Sequence, residues 1–440
     1  MRRAPPAHRR ARVETDDERR RRLRTVALAS LLGTTVEWYD FFLYATAASL
    51  VFNTVFFPQQ SGFVGTLLTF ATFAVGFAVR PIGGVVFGHI GDRIGRKKTL
   101  ALTMGMGVAT ALMGALPTAA QVGIVAPILL LLLRIVQGFA LGGEWAGAVL
   151  LAVEHSPRAR RGFFGSIPQI GLALGLALGT AAFALLQVVF DDDAFLAYGW
   201  RIAFLGSIVL VVIGFVVRLK VDETPAFRQV DELSQKSSAP LKEVVRQPYT
   251  RNTVLGMLAR WGEGSAFNTW GVFAIAYATT QLHLPKVSVL VSVTIASLVM
   301  AVLLPVSGSL TDRFGPRRVY LAGMIAYAIA VYPVFALFGT AELVWFTVGL
   351  VAVFGVIHAL FYGAQGTLFA SLYPTPVRYT GLSVVYQFSG IYASGLTPLI
   401  LTALLGAAHG APWLAAGYLV LTGVISVVAT FLIRRRDQFL

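Results

Sequence analysis

The chain has 440 residues, of which 56% are hydrophobic and only 13% are charged, and its mean hydropathy is +0.72. Soluble globular domains have about 45–50% apolar and about 25% charged residues, so the composition excludes an ordinary soluble enzyme as well as a disordered or fibrous chain. Because cysteine is absent, disulfides, thiolate metal sites and cysteine nucleophiles are also excluded. The net charge of +15 lies in short clusters between long apolar stretches, which indicates a membrane topology.

Apolar stretches follow one another along the whole chain. A helix that crosses the hydrocarbon of a bilayer needs about 20 mostly apolar residues, and twelve stretches meet this requirement. The first stretch is too long and too polar for a cleaved signal peptide. The sequence therefore predicts an all-α membrane protein with twelve transmembrane helices. The predicted spans are 25–50, 64–88, 99–117, 124–153, 163–189, 200–219, 251–280, 286–309, 319–338, 343–372, 380–405 and 412–433.

The positions of Lys and Arg predict the orientation in the membrane. Among the 36 Lys and Arg residues, Arg80, Arg134 and Arg260 lie inside predicted spans. Arg201 and Lys286 are the only ones near loops on one side of the membrane, and all the others fall in the chain ends and in the loops on the other side. Since positive residues are retained in the cytoplasm, we expect both chain ends to be cytoplasmic.

The basic N-terminal tail, residues 1–24, allows two interpretations. Its arginines can bind lipid headgroups or nucleic acid. However, the tail adjoins the first span directly, which favours a solvated determinant of topology. We therefore expect a lipid bilayer and no nucleic acid among the partners.

The two halves of the chain repeat one design. The run GHIGDRIGRKK at 88–98 follows the second span, and GSLTDRFGPRR at 308–318 follows the eighth, 220 residues later. The same offset carries Asp40 onto Arg260. Parallel repeats of this kind bind a substrate near the membrane midplane, between the halves. The predicted domains are a six-helix bundle at 25–219, a cytoplasmic linker at 220–250, a second six-helix bundle at 251–433 and a cytoplasmic tail at 434–440.

These features together resemble the major facilitator superfamily, whose second motif is similar to RIVQG at 134–138. The resemblance implies that superfamily's fold, in two pseudo-symmetric bundles, in the inner membrane of a bacterium. It also implies a monomeric functional unit with a proton as coupling ion and no cofactor or metal. Four further segments resemble its metabolite:proton symporters, which include permeases for shikimate, α-ketoglutarate, citrate and betaine or proline. These segments are EWYDF at 37–41, RPIGG at 80–84, GGEW at 142–145 and DETP at 222–225.

The loop motif is expected to form a gate. A carboxylate at the end of a span can face the N-terminus of a neighbouring helix and a nearby arginine. Contacts that form in only one global state stabilise that state. The resemblance implies this role for Asp92, Arg93 and Arg96, and the repeat extends it to Asp312 and Arg313. A basic loop that only determines topology is the alternative.

Ionisable residues inside the spans predict proton coupling. Each costs about 2.5–3.5 kcal/mol on insertion scales, so each suggests a function. Glu37 and Asp40 are three residues apart and share a helical face of the first span. We expect Asp40 to carry the coupling proton, with Glu37 and Glu144 as alternatives. The family motif indicates Arg134 as the charge partner, and a static ion-pair network that fixes helix packing is the other interpretation.

The substrate site is expected where spans 1, 4, 7 and 10 meet, since the resemblance implies that these spans line the central cavity. Arg260 and Arg134 can each hold a carboxylate in bidentate geometry. We interpret Arg80 as a structural or gating residue. For His358 and the aromatic candidates, ordinary packing is the alternative. The candidate substrate-binding residues are Arg260, Glu263, Tyr39, Tyr44, Gln137, Gln169, Trp261, Asn268, His358, Tyr362, Gln365 and Gln387.

The leading functional prediction is a proton-coupled symporter that imports a small carboxylated metabolite, either a shikimate-like acid or a dicarboxylate. A zwitterionic osmolyte such as betaine or proline is the alternative cargo, although osmosensing relatives have a long C-terminal extension and this chain stops at Leu440. A drug:proton antiporter is disfavoured because the fifth span lacks the Gly-Pro pair of antiporter relatives. The sequence contains neither a Walker-type run nor a HExxH or serine-elbow motif, which disfavours nucleotide-driven transport and an enzyme.

Overall fold

The computed structural model describes residues 16–86, 105–142, 145–219, 243–434 and 439. Twelve helices run through these described residues, each on one of the predicted spans, which confirms the prediction of an all-α fold with twelve membrane helices. They are α1 Asp16–Leu50, α2 Gly62–Val86, α3 Gly105–Gly114, α4 Val125–Leu141 with Trp145–His155, α5 Arg161–Val189, α6 Trp200–Leu219, α7 Thr250–Asn268 with Ala274–Thr280, α8 Lys286–Phe314, α9 Pro316–Phe338, α10 Leu343–Leu350 with His358–Ser371, α11 Thr375–Gly390 with Thr397–Ala407, and α12 Trp413–Leu432.

Nine helices of the described part are long and apolar enough to cross a membrane. They are α2, α4, α5, α6 and α8 to α12. Two of the remaining three helices carry charged pairs in the middle, namely Glu37 with Asp40 in α1 and Arg260 with Glu263 in α7. The third, α3, is described over ten residues. Of the predicted linker, residues 220–242 lie outside the described residues.

The apolar side chains form an inner set and an outer set. Phe41 and Phe42 are buried between helices, whereas Val302, Ile329 and Phe431 are about 70% exposed. An exposed apolar surface of this extent is unfavourable in water. Against lipid it is the ordinary surface of a helical bundle, because the backbone polar groups are satisfied within each helix.

Glycines bring α2 and α4 into close contact. A Cβ added at Gly83 would overlap the carbonyl oxygen of Phe139, and a Cβ at Gly138 would overlap that of Gly76. Gly76 also leaves the space that the Arg134 guanidinium occupies. In lipid, no hydrophobic effect drives helices together. Their association depends on close van der Waals packing, which small residues of this kind allow.

The two six-helix halves meet chiefly along α5 and α8. At one end of this pair, a Cβ added at Gly308 would lie only 2.6 Å from the carbonyl oxygen of Gly162. Toward the other end, the hydroxyls of Thr180 and Thr294 form a hydrogen bond of 2.7 Å. The two halves are therefore in contact at both ends of the seam.

Three helices of the second half contain a π-helical stretch. Such stretches are frequent at functional sites, because they change the direction in which neighbouring side chains point. Asn268 and His358 each adjoin one of these stretches, and Ser394 lies within another. The stretches are Thr269–Phe273 in α7, Val351–Ile357 in α10 and Ile391–Gly395 in α11.

Candidate functional site

A narrow cavity lies between the two halves. Half of its described lining residues are aromatic and its few charged groups come from both halves, which is the usual composition of a small-molecule site. The first half contributes Trp38, Phe41, Phe42, Phe77, Arg80 and Leu172, and the second half contributes Arg260, Glu263, Phe267, Asn268, Tyr386 and Ser394.

Arg260 and Glu263 form a buried ion pair in this cavity. Nε of Arg260 lies 3.4 Å from Oε2 of Glu263, and both side chains are 3% exposed. The Nη1 group of Arg260 also donates hydrogen bonds to the carbonyl of Tyr386 at 3.1 Å and to the hydroxyl of Ser389 at 3.0 Å. The guanidinium carbon lies 3.7 Å from the centre of the Tyr386 ring. Arg260 is therefore held by α11 as well as by its own helix.

Arg80 is the second arginine of the cavity. Its guanidinium carbon lies 4.0 Å from the ring centre of Phe77 and 4.5 Å from that of Phe41. It is 3% exposed, and its Nε and Nη2 have no hydrogen-bond partner among the described residues. None of the ion pairs among the described residues includes Arg80. Arg80, which the sequence suggested as a structural or gating residue, therefore also lines the cavity, and its signal is the one that selected Arg260, a charge within a predicted span.

Arg134 lies in the core of the first half, outside the cavity wall. Its Nη1 donates to Oε1 of Gln137, and its guanidinium carbon lies 4.1 Å from the ring centre of Tyr44. Gln137 in turn donates from Nε2 to the hydroxyl of Thr110 at 2.8 Å and to the backbone carbonyl of Asp40 at 3.3 Å. The EWYDF segment of α1 and the RIVQG segment of α4 are therefore connected. The connection runs from Arg134 through Gln137 to the backbone of Asp40.

The carboxyl of Asp40 points away from Arg134. It lies beside Ser207 of α6, and its Oδ2 is 3.0 Å from the place where a Cβ would stand on Gly107 of α3. Asp40 is 1% exposed, its Oδ1 has no hydrogen-bond partner, and no ion pair among the described residues includes it. The expectation that Asp40 pairs directly with Arg134 is therefore wrong for this structure. Glu37, three residues earlier, is partly buried.

Several other candidates surround the Arg260–Glu263 pair. Gln365 lies beside Glu263, and Tyr362 is within electrostatic range of both members of the pair. His358 packs with its ring centre 4.5 Å from that of Phe361, is fully buried, and has no hydrogen-bond partner on either ring nitrogen. None of these three residues of α10 is among the described lining residues of the cavity, and His358 reaches it only through Phe267, with ring centres 5.5 Å apart.

Two predicted glutamines join the halves. Nε2 of Gln169 in α5 donates to the carbonyl of Tyr362 in α10, and Nε2 of Gln387 in α11 donates to the carbonyl of Gly142 at the end of the first α4 segment, both at 2.6 Å. Their Oε1 atoms have no hydrogen-bond partner. Each of these side chains therefore links the two halves through its Nε2 group, while its Oε1 atom remains an acceptor without a partner among the described residues.

Three aromatic candidates face other parts of the bundle. The hydroxyl of Tyr39 is directed at the carbonyl of Ala203 in α6, and that of Tyr44 bonds Thr72 at 2.6 Å. Trp261 lies against Tyr392, with ring centres 4.8 Å apart. None of the three is among the lining residues of the cavity, and each packs inside a single half, as the alternative interpretation of ordinary packing expects.

The proposed gate residues are described only in the second half. Both carboxylate oxygens of Asp312, at the end of α8, accept hydrogen bonds from the start of α5: Gly162 N–H at 2.6 Å and Phe163 N–H at 2.9 Å. Gly315, at the turn into α9, has φ of +89°, which explains why the motif carries glycine there. Arg313 is exposed, with its guanidinium carbon 5.2 Å from the Phe314 ring centre. Asp92, Arg93, Arg96 and Glu144 lie outside the described residues.

Further contacts between the halves occur on both sides of the cavity. Near Asp312, Nη1 of Arg378 in α11 lies 2.9 Å from Oε1 of Glu154 in α4. At the opposite end, Lys286 Nζ lies 3.2 Å from Asp192. The cavity is therefore enclosed between two separate sets of polar contacts.

An aromatic stack also crosses from one half to the other. The rings of Trp145 in α4 and Tyr386 in α11 lie 3.7 Å apart between centres, with an angle of 15° between their planes. Since Tyr386 also contacts Arg260, the stack connects α4 to the ion pair of the cavity.

Comparisons with known proteins agree with this architecture. The family model described as sugar (and other) transporter matches residues 25–248, and that of the Major Facilitator Superfamily matches residues 264–439. The chain is 38% identical to the shikimate transporter of Escherichia coli (strain K12) over 421 residues, which are 95% of each chain. It is 32% identical to the proline/betaine transporter of the same organism, over 92% of this chain and 82% of that protein.

Solved structures show the same fold. A crystal structure of a D-xylose–proton symporter has a TM-score of 0.71 and 18% identity, and the match covers 91% of this chain and 96% of that one. The xylose transporter of E. coli in a partially occluded inward-open conformation has a TM-score of 0.75 and 16% identity, over 95% and 99% of the two chains. Both halves of the chain are matched by transporter families, and the chain is a multi-pass membrane transporter that belongs to the major facilitator superfamily.

Proposed function

We propose that this chain is a proton-coupled symporter that carries a small carboxylated metabolite into a bacterial cytoplasm. The observation that supports this best is the aromatic cavity between the halves, to which each half contributes an arginine, Arg80 and Arg260. Guanidinium groups bind carboxylates in bidentate geometry. The similarity to a shikimate transporter supports the same class of cargo.

The proposed mechanism is alternating access by rocking of the two halves. Opening one end would break the Asp312 cap and the Arg378–Glu154 pair, whereas opening the other would break the Thr180–Thr294 hydrogen bond and the Lys286–Asp192 pair. Because these sets are separate, one end can open while the other stays closed. We propose that Asp92, Arg93, Arg96 and Arg313 contribute to the same gate as Asp312.

The proton is proposed to be carried by Asp40, with Glu37 and Glu144 as alternatives. A buried carboxyl without a cation is costly to keep charged, which is the property that a proton-loading site requires. Asp40 is connected to α4 through Gln137. Movement of α4 can therefore change the surroundings of Asp40 when the halves rock. The proton is the only coupling species in this proposal, and a single chain is the functional unit.

The distribution of basic residues supports an orientation with both chain ends in the cytoplasm. In that orientation the Asp312 end of the bundle faces the cytoplasm, and the Lys286–Asp192 pair faces the outside. Import then requires loading through the outer end and release past Asp312.

A zwitterionic osmolyte is the second candidate cargo. The 32% identity to a proline/betaine transporter favours it. This candidate makes a different prediction, because uptake would then not depend on a net negative charge of the cargo.

Transport by purified protein in liposomes tests the proposal. Radiolabelled shikimate should accumulate against its gradient when the outside is acidic, and a protonophore should abolish accumulation. Arg260→Ala should weaken binding of the acid, whereas Arg317→Gln should not, because Arg317 lies at the start of α9, contacts the last turn of α12 and does not line the cavity. Accumulation that ignores the protonophore would contradict proton coupling. Accumulation of betaine or proline in preference to organic acids would favour the second candidate.

A further inference from the structure

We propose that Arg80 is the residue that binds the substrate carboxylate, and that the cavity selects a hydroxylated acid with one negative charge. This inference rests on the proposed function, since it specifies the cargo of that same cavity. It differs from the sequence interpretation, which gave the carboxylate to Arg260 or Arg134.

The charge balance of the cavity is the first argument. Among the described lining residues, Arg80, Arg260 and Glu263 are charged. Arg260 and Glu263 are 3.4 Å apart and compensate each other. Within the described part of the lining, one positive charge, that of Arg80, therefore remains for a ligand to neutralise.

The free donors of Arg80 are the second argument. A buried guanidinium is rarely left without hydrogen-bond acceptors, because desolvated donors are costly. Phe77 and Phe41 contact Arg80 through their rings, and ring contacts do not satisfy Nε or Nη2. These two donors lie on one edge of the guanidinium, which is the edge that a carboxylate engages with both oxygens. By contrast, Arg260 Nη1 is already occupied by Tyr386 and Ser389, and its Nε, which has no hydrogen-bond partner among the described residues, lies 3.4 Å from the carboxylate of Glu263.

The remaining lining residues indicate the body of the substrate. Asn268 donates from Nδ2 to the carbonyl of Gly264 at 2.9 Å, and its Oδ1 has no hydrogen-bond partner among the described residues. This buried acceptor matches a hydroxyl of the ligand. Trp38, Phe42 and Phe267 supply flat apolar walls for a small ring.

The same arrangement discriminates against other cargo. A dicarboxylate would bring its second charge toward Glu263 or leave it without a cation. A zwitterion would need the Glu263 carboxylate, which Arg260 already engages. Both would leave a buried charge unpaired, and this penalty is a strong basis for selectivity.

A binding assay on the purified protein tests the inference. The probes are shikimate, its methyl ester, succinate and glycine betaine, tested on the wild type, Arg80→Gln, Arg80→Lys and Arg317→Gln. Wild type and Arg317→Gln should bind shikimate more tightly than the other three probes. Arg80→Gln should weaken shikimate binding about 10- to 100-fold, as expected for the loss of a charge-assisted pair, and leave binding of the ester unchanged. Arg80→Lys should retain part of the preference.

Three outcomes would overturn the inference. Equal loss of acid and ester binding in Arg80→Gln would make Arg80 structural. If that variant kept the wild-type preference for shikimate over its ester, another residue would bind the carboxylate. Binding of succinate or betaine more tightly than shikimate by the wild type would contradict the charge argument. In the last two cases, proton-driven uptake of an organic acid would leave the proposed function intact. If neither binding nor proton-driven uptake of any carboxylate occurs, both the inference and the proposed function fail.

Discussion

The carboxylate of Asp312, at the end of α8, accepts a hydrogen bond of 2.6 Å from the backbone N–H of Gly162 at the start of α5. The second oxygen accepts from Phe163 at 2.9 Å, so one side chain caps a helix of the opposite half. The first N–H groups of a helix lack partners and carry partial positive charge. A charged carboxylate is therefore well suited to hold the two halves together at this end.

Asp312→Asn should destabilise closure of the Asp312 end. The amide keeps one acceptor and loses the charge, which predicts a cost of about 1 kcal/mol, or roughly a fivefold shift toward opening. Since the chain has no cysteine, a single Ser166→Cys substitution in the buried part of α5 reports opening by its rate of maleimide labelling. Ala184→Cys, at a buried position toward the other end of α5, is the control: labelling there should not rise. Equal increases at both positions would indicate general loosening instead of gating.

Arg378 and Glu154 should act as a coupled pair. Their side chains lie 2.9 Å apart and are 6% and 29% exposed, so screening by water is limited on the arginine side. Glu154→Gln and Arg378→Gln should each speed labelling of the same Ser166→Cys reporter. The double variant should show less than the summed effect, with a coupling of about 0.5–3 kcal/mol. Strict additivity would show that the pair does not contribute to closure.

Gly83→Ala should prevent normal packing of α2 on α4. The added Cβ would overlap the carbonyl oxygen of Phe139, and overpacking of this kind costs about 1–3 kcal/mol or more. Gly206→Ala is the matched control, because no atom lies within 4 Å of the Cβ position there. Thermal unfolding in detergent, followed by size-exclusion chromatography, should show a lower Tm for the first variant and no loss for the second. A normal Tm for Gly83→Ala would mean that these helices can separate without cost.

Asp40→Asn should abolish accumulation of substrate while leaving exchange across the membrane partly intact. The substitution removes the group that binds the proton and changes the side-chain volume very little. Asp192→Asn, which disrupts the exposed pair with Lys286, should have little effect because such pairs contribute about 0–1 kcal/mol. Uptake and counterflow assays in liposomes separate the two properties. Normal accumulation by Asp40→Asn would move the proton to Glu37 or Glu144.

The twelve helices could be predicted from the sequence because the length and apolar character of a span are local properties. The Asp312 cap was foreseeable for a related reason: the repeated motif places a carboxylate at a helix end, where the first N–H groups of a neighbouring helix need acceptors. The helix boundaries are also close to the predicted ones, for example Lys286–Phe314 against 286–309.

The rotation of each helix could not be predicted in the same way. Asp40 and Arg260 occupy equivalent positions in the repeat, yet Arg260 lines the cavity and Asp40 faces Gly107 and Ser207. Helix rotation depends on contacts between helices, such as those of the glycines in α2 and α4, and these contacts are not visible in a single span. Trp261 shows how strongly one helical step changes direction. It follows Arg260 directly and is rotated from it by about 100° around the helix axis, so it does not line the cavity as Arg260 does.

The stack of Trp145 on Tyr386 affects the energy needed to separate the two halves, and it also offers a way to observe that separation. Any motion that separates α4 from α11 must part these two rings, which costs about 0.5–1.5 kcal/mol beyond the loss of buried area. The indole is also a natural fluorophore, and its emission depends on the polarity around it. In a variant in which the other six of the seven tryptophans are replaced by phenylalanine, Trp145 would therefore be an intrinsic optical probe at the junction of the halves, and ligand-induced opening could be followed in real time without any added dye.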